Sequence, residues 1–380
     1  MSLTLENVDT ILKVAPDDWN ALVPPGYPFL RHEFLAGLEE HDCLAPHGWH
    51  PCHLLAREDS ALAGAICLYA KTNSIGEFVF DWSWAEAYER AGGRYYPKLV
   101  NAVPYVPCTG PRILTVPHAR ESERVVAALV EGALDFARGA GVSSLHWLFP
   151  TEEEAQVLSR HEHLTRVGCQ YHWHNRGYGS FEDFLETLTS KRRKQIRRER
   201  REVEREDVEI ETLAGEQITD VHWDAFYEFY CSTFHRRWGE PRFTRRFFRA
   251  LGRTMPRDNV LVLARHCGEY VAGAFAMIGG ETLYGRHWGC NRHFRFLHFE
   301  LCYYRTIDYC IRRGLRRLDA GAQGEHKLSR GFVPQRTWSA HWLRDPGFTR
   351  AVASFVKREQ HMIDRYIKAL ETHSPYRQAS

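Results

Sequence analysis

The alternation of apolar and polar positions occurs twice in the chain. Leu54-Leu55-Ala56-Arg57, then Ala63-Gly64-Ala65 and an apolar run to Ala70, reads as strand, tight turn, strand. Val262-Leu263-Ala264-Arg265, then Ala272-Gly273-Ala274 and an apolar run to Ile278, reads the same way, with one residue more in the turn. A second echo follows each copy. Leu134-Asp135-Phe136-Ala137-Arg138, Gly141 and Leu145 align with Ile307-Asp308-Tyr309-Cys310-Ile311, Gly314 and Leu318. Both read as a helix end, a glycine stop and a short strand. Two echoes in one order predict a duplicated hairpin-helix-strand unit, and therefore two related α/β domains. Helical spacing is also present over 121–138, 180–206, 223–234, 297–313 and 348–370. Pro104, Pro107 and Pro111 exclude a central strand over 103–112.

Size supports this division, since 380 residues suit two domains of ordinary size. The expected boundaries are a first domain with an N-terminal extension over 1–175, a basic connecting helix over 176–207 and a second domain with a C-terminal helix over 208–380. Apolar residues at 44% and charged residues at 26% are those of a soluble globular protein. A net charge of +2 excludes any global charge argument for nucleic acid, leaving only local patches. The N-terminus lacks the basic and apolar run of a signal peptide, and no stretch reaches ~18 uncharged apolar residues. A cytoplasmic protein without a membrane span is expected. Ten cysteines form no C-x-x-C pair and several fall inside apolar patterns, so reduced thiols are expected rather than disulfides or zinc ligands. The 21 histidines supply no H-E-x-x-H, and no metal site is expected.

The densest chemistry is in Asp319-Ala320-Gly321-Ala322-Gln323-Gly324-Glu325-His326-Lys327-Leu328-Ser329-Arg330. A strand ends near Leu318, and loops at the carboxyl ends of strands in α/β sheets are where ligands bind. Gly321 and Gly324 permit close backbone approach, and Lys327 and Arg330 suit a phosphate or carboxylate. Upstream, Tyr284-Gly285-Arg286-His287-Trp288-Gly289-Cys290 alternates like a strand but carries polar residues. In the 297–313 helix, Glu300 projects onto the apolar face of Phe299, Tyr303, Ile307 and Ile311, whereas His298 projects away as a surface residue. Between Lys191 and Arg205, nine of fifteen residues are Lys or Arg. Glu199, Glu202 and Glu204 interleave with them, so a solvated, salt-bridged face, an RNA-phosphate contact and an anionic lipid contact all fit.

Asp81-Trp82-Ser83-Trp84-Ala85, Tyr95-Tyr96-Pro97-Lys98-Leu99, Pro107-Cys108-Thr109-Gly110-Pro111-Arg112, Leu297-His298-Phe299-Glu300-Leu301-Cys302-Tyr303-Tyr304 and Gly321-Ala322-Gln323-Gly324-Glu325-His326-Lys327 together resemble the FemAB-like (peptidoglycan biosynthesis/recognition) family of the GNAT acyltransferase superfamily. The resemblance covers about 20–370. It implies an α/β fold of tandem GNAT-like domains, each a mixed, largely antiparallel sheet flanked by helices. It also implies an N-acyltransferase that moves an acyl or aminoacyl group onto an amine, which is a peptidoglycan precursor or a small molecule. Acyl-CoA or aminoacyl-tRNA serves as co-substrate, with no tightly bound cofactor. The superfamily's glycine-rich phosphate turn is missing before the 297–313 helix, since Asn291–Phe296 has no glycine. That leaves aminoacyl-tRNA open as donor, held through Lys191–Arg205. The expected base is Glu300, then Asp319, with His326 the third catalytic candidate. Trp82, Trp84, Tyr96, Lys98, Arg286, His287, Trp288, Tyr304, Gln323, Glu325, Lys327 and Arg330 are expected to line the substrate cleft. The alternative is a binding module that kept the fold and lost the chemistry.

Overall fold

The computed structural model describes residues 2–116, 122–235, 239–321 and 324–377. These form two units: unit 1 holds 1–169 and 336–366, and unit 2 holds 170–335 and 367–380. The strands, in chain order, are β1 (Leu3–Val8), β2 (Trp49–Pro51), β3 (His53–Glu58), β4 (Ala61–Ile66), β5 (Leu68–Lys71), β6 (Lys98–Asn101), β7 (Leu114–Thr115), β8 (Ser144–Leu148), β9 (Leu164–His174), β10 (Val208–Ala214), β11 (Asn259–His266), β12 (Glu269–Gly279), β13 (Thr282–Cys290), β14 (Arg317–Asp319) and β15 (Val333–Leu343). Helices flank both sets of strands. Among the described residues, no helix is long and apolar enough to cross a membrane.

The two units have the same strand order. In unit 2, β10, β11, β12 and β13 follow one another antiparallel, β13 pairs parallel with β14, and β14 pairs antiparallel with the end of β9. In unit 1, β1, β3 and β4 are antiparallel, as are β5 and β6; β6 pairs parallel with β8, and β8 antiparallel with β15. Where β12 is one continuous strand, its counterpart is split at Cys67 into β4 and β5, which belong to different sheets.

The hairpins echo each other more closely than the alignment predicted. Both have two-residue turns, Asp59-Ser60 and Cys267-Gly268, with every φ positive, the twist that suits a tight hairpin. Both carry a bulge after the same residue, at Ala56/Arg57 and Ala264/Arg265. The expected extra turn residue is therefore absent. Ala56 faces Gly64, whereas Ala264 faces Ala272, so the two Ala-Gly-Ala strings are one position out of step. Crowding explains their recurrence. A Cβ on Gly64 would lie 2.6 Å from Val125, and one on Gly273 would lie 2.8 Å from Leu263. The second echo marks equivalent positions. Gly141 and Gly314 both adopt left-handed φ at the end of a helix, and Leu145 and Leu318 pair with Leu99 and Leu283 in the parallel strand pairs.

Two sequence boundaries are corrected. The last strand of each unit comes from the other half of the chain, so 336–366 belongs to unit 1 and 170–175 to unit 2. Period-2 patterning gives a strand's faces but not its neighbour, so this exchange had no local signal. The 180–206 helix is two helices, Phe181–Thr187 and Ser190–Glu204. They part at Leu188, which is extended, fully buried and bridged to Tyr376. The basic segment belongs to unit 2 rather than serving as a connector: Ile196 sits in a core with Phe184, Leu185, Tyr304 and Phe332.

Candidate functional site

In unit 2 the parallel pair supplies the frame. Among the described residues, only Thr282–Tyr284 of β13 pair with β14, which ends at Asp319, while β13 continues to Cys290. A bulge opposite Phe275 and Ala276 makes Arg286 the extra residue. The chain leaves β14 through Gly321, at φ 82°, and reaches Lys327 and Arg330 in a short helical turn, Glu325–Arg330. This is the carboxyl end of a parallel pair, where the crevice was expected.

Asp319 and Lys327 are both buried there. Burial alone would raise the Asp319 carboxyl, but His172, the Gly321 N–H and Arg286 outweigh it and hold it well below the usual carboxylate range. His172 Nε2 lies 3.5 Å from Asp319 Oδ2, and Gly321 N donates to Oδ1 at 3.0 Å. Lys327 Nζ donates to the Gly321 carbonyl at 2.7 Å. Burial brings its ammonium down to about 8, with Asp319 and Cys302 opposing that fall and Arg286 adding to it. His326 is exposed; partial burial, then Arg330 and Lys327, push its imidazole down. Its Nε2 lies 2.9 Å from the Tyr303 hydroxyl.

A cavity of about 280 Å³ opens beside β13, walled by Trp288, Cys290, Phe296, Leu297, His298 and Phe299. His298 is therefore not the surface residue expected. Its ring packs 5.1 Å from Trp288 and 6.1 Å from His326, and burial pushes its imidazole down to about 4. The first turn after the left-handed Phe296 aims it inward, a bend that helical projection does not contain.

Other expected residues are occupied elsewhere. Glu300 faces inward as projected, but both of its oxygens accept from guanidinium groups: Arg200 Nη2 at 3.2 Å and Arg305 Nε at 2.9 Å reach Oε1, and Arg200 Nε at 3.2 Å reaches Oε2. The first catalytic candidate is thus held by two guanidinium groups, where the sequence pointed to an open base. Arg330 is buried, with its donors on Glu199, Tyr304, Ser329 and the His326 carbonyl, so it does not offer its fork to an anionic substrate. Tyr304 donates its hydroxyl to Glu199. His287 lies among Tyr230 and Phe243, where burial and then Arg286 push it down to about 3, so it packs as a neutral ring. Glu325 is exposed, and Gln323 lies outside the described residues.

Trp82, Trp84, Tyr96 and Lys98 belong to unit 1. Lys98 is fully buried and donates to Ser74 at 2.8 Å, Glu77 at 2.8 Å and Asp81 at 2.5 Å. Tyr95 donates to Asp81 at 2.7 Å, and Tyr96 OH meets Ser74 Oγ at 2.8 Å. Burial raises Glu77 to about 7. Trp84 is buried under Arg166 and beside His341, while Trp82 is exposed and lies against Phe80. Lys98 thus anchors the 72–97 insertion and is not open to a substrate. Sequence reasoning missed His172, Glu199 and the Glu77–Asp81 pair. Glu199 had a signal, since it shares the helix face of Ile196 and Val203.

All ten cysteines are free thiols, and among the described residues no group of three or more His, Cys, Asp or Glu could hold a metal ion. The family model for FemAB-like proteins, described as peptidoglycan biosynthesis/recognition, matches residues 10–378. Comparison with curated proteins gave no match. Among solved structures, FemX aligns at TM-score 0.54 and 12% identity, over 93% of this chain and 100% of its own. The C-terminal domain of a putative lysylphosphatidylglycerol synthetase from Agrobacterium fabrum aligns at 0.54 and 8%, over 91% and 96%. L-PGS from Bacillus licheniformis aligns at 0.52 and 11%, over 90% and 98%. At these identities the likeness is one of fold.

Proposed function

The chain belongs to the FemAB-like family of peptidoglycan biosynthesis/recognition, and from that premise we propose that it is a transferase moving an aminoacyl group from aminoacyl-tRNA onto the amine of a peptidoglycan precursor. The observation that carries this reading is the pairing of Lys327 with His326 at the end of β14. Acyl transfer to an amine needs a group to take the amine's proton and donors facing the developing oxyanion. His326, its imidazole pushed down by partial burial and by Arg330 and Lys327 and open to solvent, takes the proton. Lys327, still mostly an ammonium at pH 7, has two N–H donors beyond the one on Gly321 and stabilises the oxyanion. Asp319 keeps that charge in place rather than acting as a base, because a carboxylate held so far down takes a proton poorly. The amine nitrogen bonds to the acyl carbon as the bond to the ribose oxygen breaks, and the proton taken by His326 passes to that oxygen, releasing tRNA with a free ribose hydroxyl. No covalent enzyme intermediate is needed, since the donor is already activated.

The basic helix supports tRNA as donor. Lys191, Lys194, Arg198 and Arg201 are exposed and have no acidic partner among the described residues, while Glu199 is turned inward and Glu202 meets Arg205. At spacings of three and four residues these cations form one stripe, about 15 Å long, suited to a phosphate backbone. The cavity beside Trp288 favours a second reading, acyl-CoA as donor, because it lies at the start of the helix after β13. Transfer of radiolabelled amino acid from a mixed aminoacyl-tRNA pool to a UDP-linked muropeptide, run beside labelled acetyl-CoA, tests both. Label on the muropeptide from tRNA alone is expected. Label from acetyl-CoA alone would establish the second reading, and label from neither would leave a non-catalytic binding module.

A further inference from the structure

The side chain that ties the basic helix to the loop carrying His326 and Lys327 belongs to neither the stripe nor the reacting groups. Glu199 faces away from the stripe and is only 2% exposed. Arg330 Nη2 donates to its two oxygens at 2.9 and 2.8 Å. The Tyr304 hydroxyl donates to Oε2, and Gln195 Nε2 donates to Oε1 at 2.9 Å. Arg330, 3% exposed, passes this restraint on: Nη1 donates to the His326 carbonyl at 2.8 Å and to Ser329 Oγ at 3.1 Å, and Nε donates to Tyr304 at 3.0 Å. Its guanidinium carbon lies 3.5 Å from the centre of the Phe299 ring.

The helix beneath is built to meet this clasp. Glu300–Tyr304 form a π turn inside an otherwise α-helical run, a local widening that often marks functional sites. That one turn supplies Glu300 to Arg200, Tyr303 to His326 and Tyr304 to Glu199 and Arg330. We propose that Glu199 is a positioning residue: acting through Arg330, it holds the Glu325–Arg330 turn in the form that keeps Lys327 buried beside Asp319. Two buried, oppositely charged groups with every polar atom partnered hold one geometry strongly, because releasing either leaves an unpaired charge. The proposal rests on the reading of Lys327 as a working residue only for its meaning in catalysis; the clasp itself is measured without substrate.

The charged and titratable groups around Lys327 are Asp319, Cys302, Arg286, His326 and His298. Glu199 is not among them, so a change at Glu199 reaches the ammonium only by moving the loop. The test follows the Lys327 side chain by NMR across pH 6–11 and amide exchange over 324–332. Parent, Glu199→Gln, Arg330→Gln and the double variant are compared. In Glu199→Gln the Lys327 titration should rise from about 8 toward the ordinary lysine value as water reaches it, and the loop amides should exchange at least tenfold faster. Amides of β11 and β12 should be unchanged, which separates loop release from general loosening. The double variant should match the worse single variant rather than add to it, as expected for groups acting as one device. It also buries no lone charge, so it carries the same two readings if a single variant fails to fold. A Lys327 titration still at about 8 and parental loop protection in Glu199→Gln, or in the double variant, would overturn the proposal. Loss of transfer activity with both readings unmoved would fault the clasp and leave the transferase reading standing. Both readings moved in a protein without transferase activity would do the reverse.

Discussion

At the scale of single residues, environment separates groups that look alike in sequence. Glu300, Asp319 and Glu199 are all buried carboxylates, but two guanidiniums hold the first, His172 and backbone the second, and Arg330 and Tyr304 the third. All three carboxylates are partnered. The residues whose states suit acyl transfer are the basic ones, His326 with its proton affinity lowered and Lys327 brought down to about 8. With His326 as the proposed proton acceptor and Lys327 as the proposed oxyanion donor, the sign of the pH dependence follows. His326 must be neutral, so activity is lost in acid below its lowered value. Lys327 must be charged, so activity is lost as pH rises through about 8. Muropeptide transfer should therefore plateau between the two, and a rate that climbs through pH 8 would assign Lys327 as the base instead. Lys327→Met should lower kcat by ~10²-fold or more, the scale of a lost oxyanion donor. Glu300→Gln should act mainly on stability. It weakens a pair whose arginines are a quarter to a third exposed, so a loss of about 2 kcal/mol in urea unfolding is expected, below the full cost for a wholly buried pair.

At the scale of elements, Ser190–Glu204 does two jobs on two faces. Ile196, Glu199 and Val203 are buried, while the opposite side carries the unpaired Lys191, Lys194, Arg198 and Arg201. Because these four make no ion pair among the described residues, replacing them all with Gln should leave the melting temperature nearly unchanged. It should also abolish tRNA binding in filter or mobility-shift assays. Binding by the parent should weaken steeply with salt, with the log-log slope falling by about one for each cation that meets a phosphate. A quadruple variant that binds tRNA as the parent does would remove the stripe from the donor site. The amphipathic pattern of this helix is readable in the sequence, but the partners of Glu199 are not, because Arg330 and Tyr304 come from distant elements.

At the scale of the whole molecule, each unit is completed by a distant segment. Residues 339–343 of β15 pair with β8, and Ala340 and Trp342 belong to the same core as Leu145, Trp147 and Leu99. A 1–169 fragment lacks them and should show no cooperative unfolding transition in urea. The same fragment with 336–366 supplied through a flexible linker should recover one. A cooperative transition in 1–169 alone would show that β15 is dispensable.

The sequence by itself determined the α/β class, the two matching hairpins and the helix-glycine-strand echoes. These follow from local causes: side-chain period, tight-turn backbone and the conformational freedom of Gly141 and Gly314. The tertiary structure alone decided which strand closes each unit and which charged groups find partners. Strand exchange depends on pairing across 195 positions, as between His146 and His341. The fate of Glu300, Arg330 and Glu199 depends on elements up to 131 residues apart meeting in a dry interior, where a charge takes whatever partner the fold brings within reach. Neither relation leaves a mark on spacing or composition, because each is made only when the chain has folded.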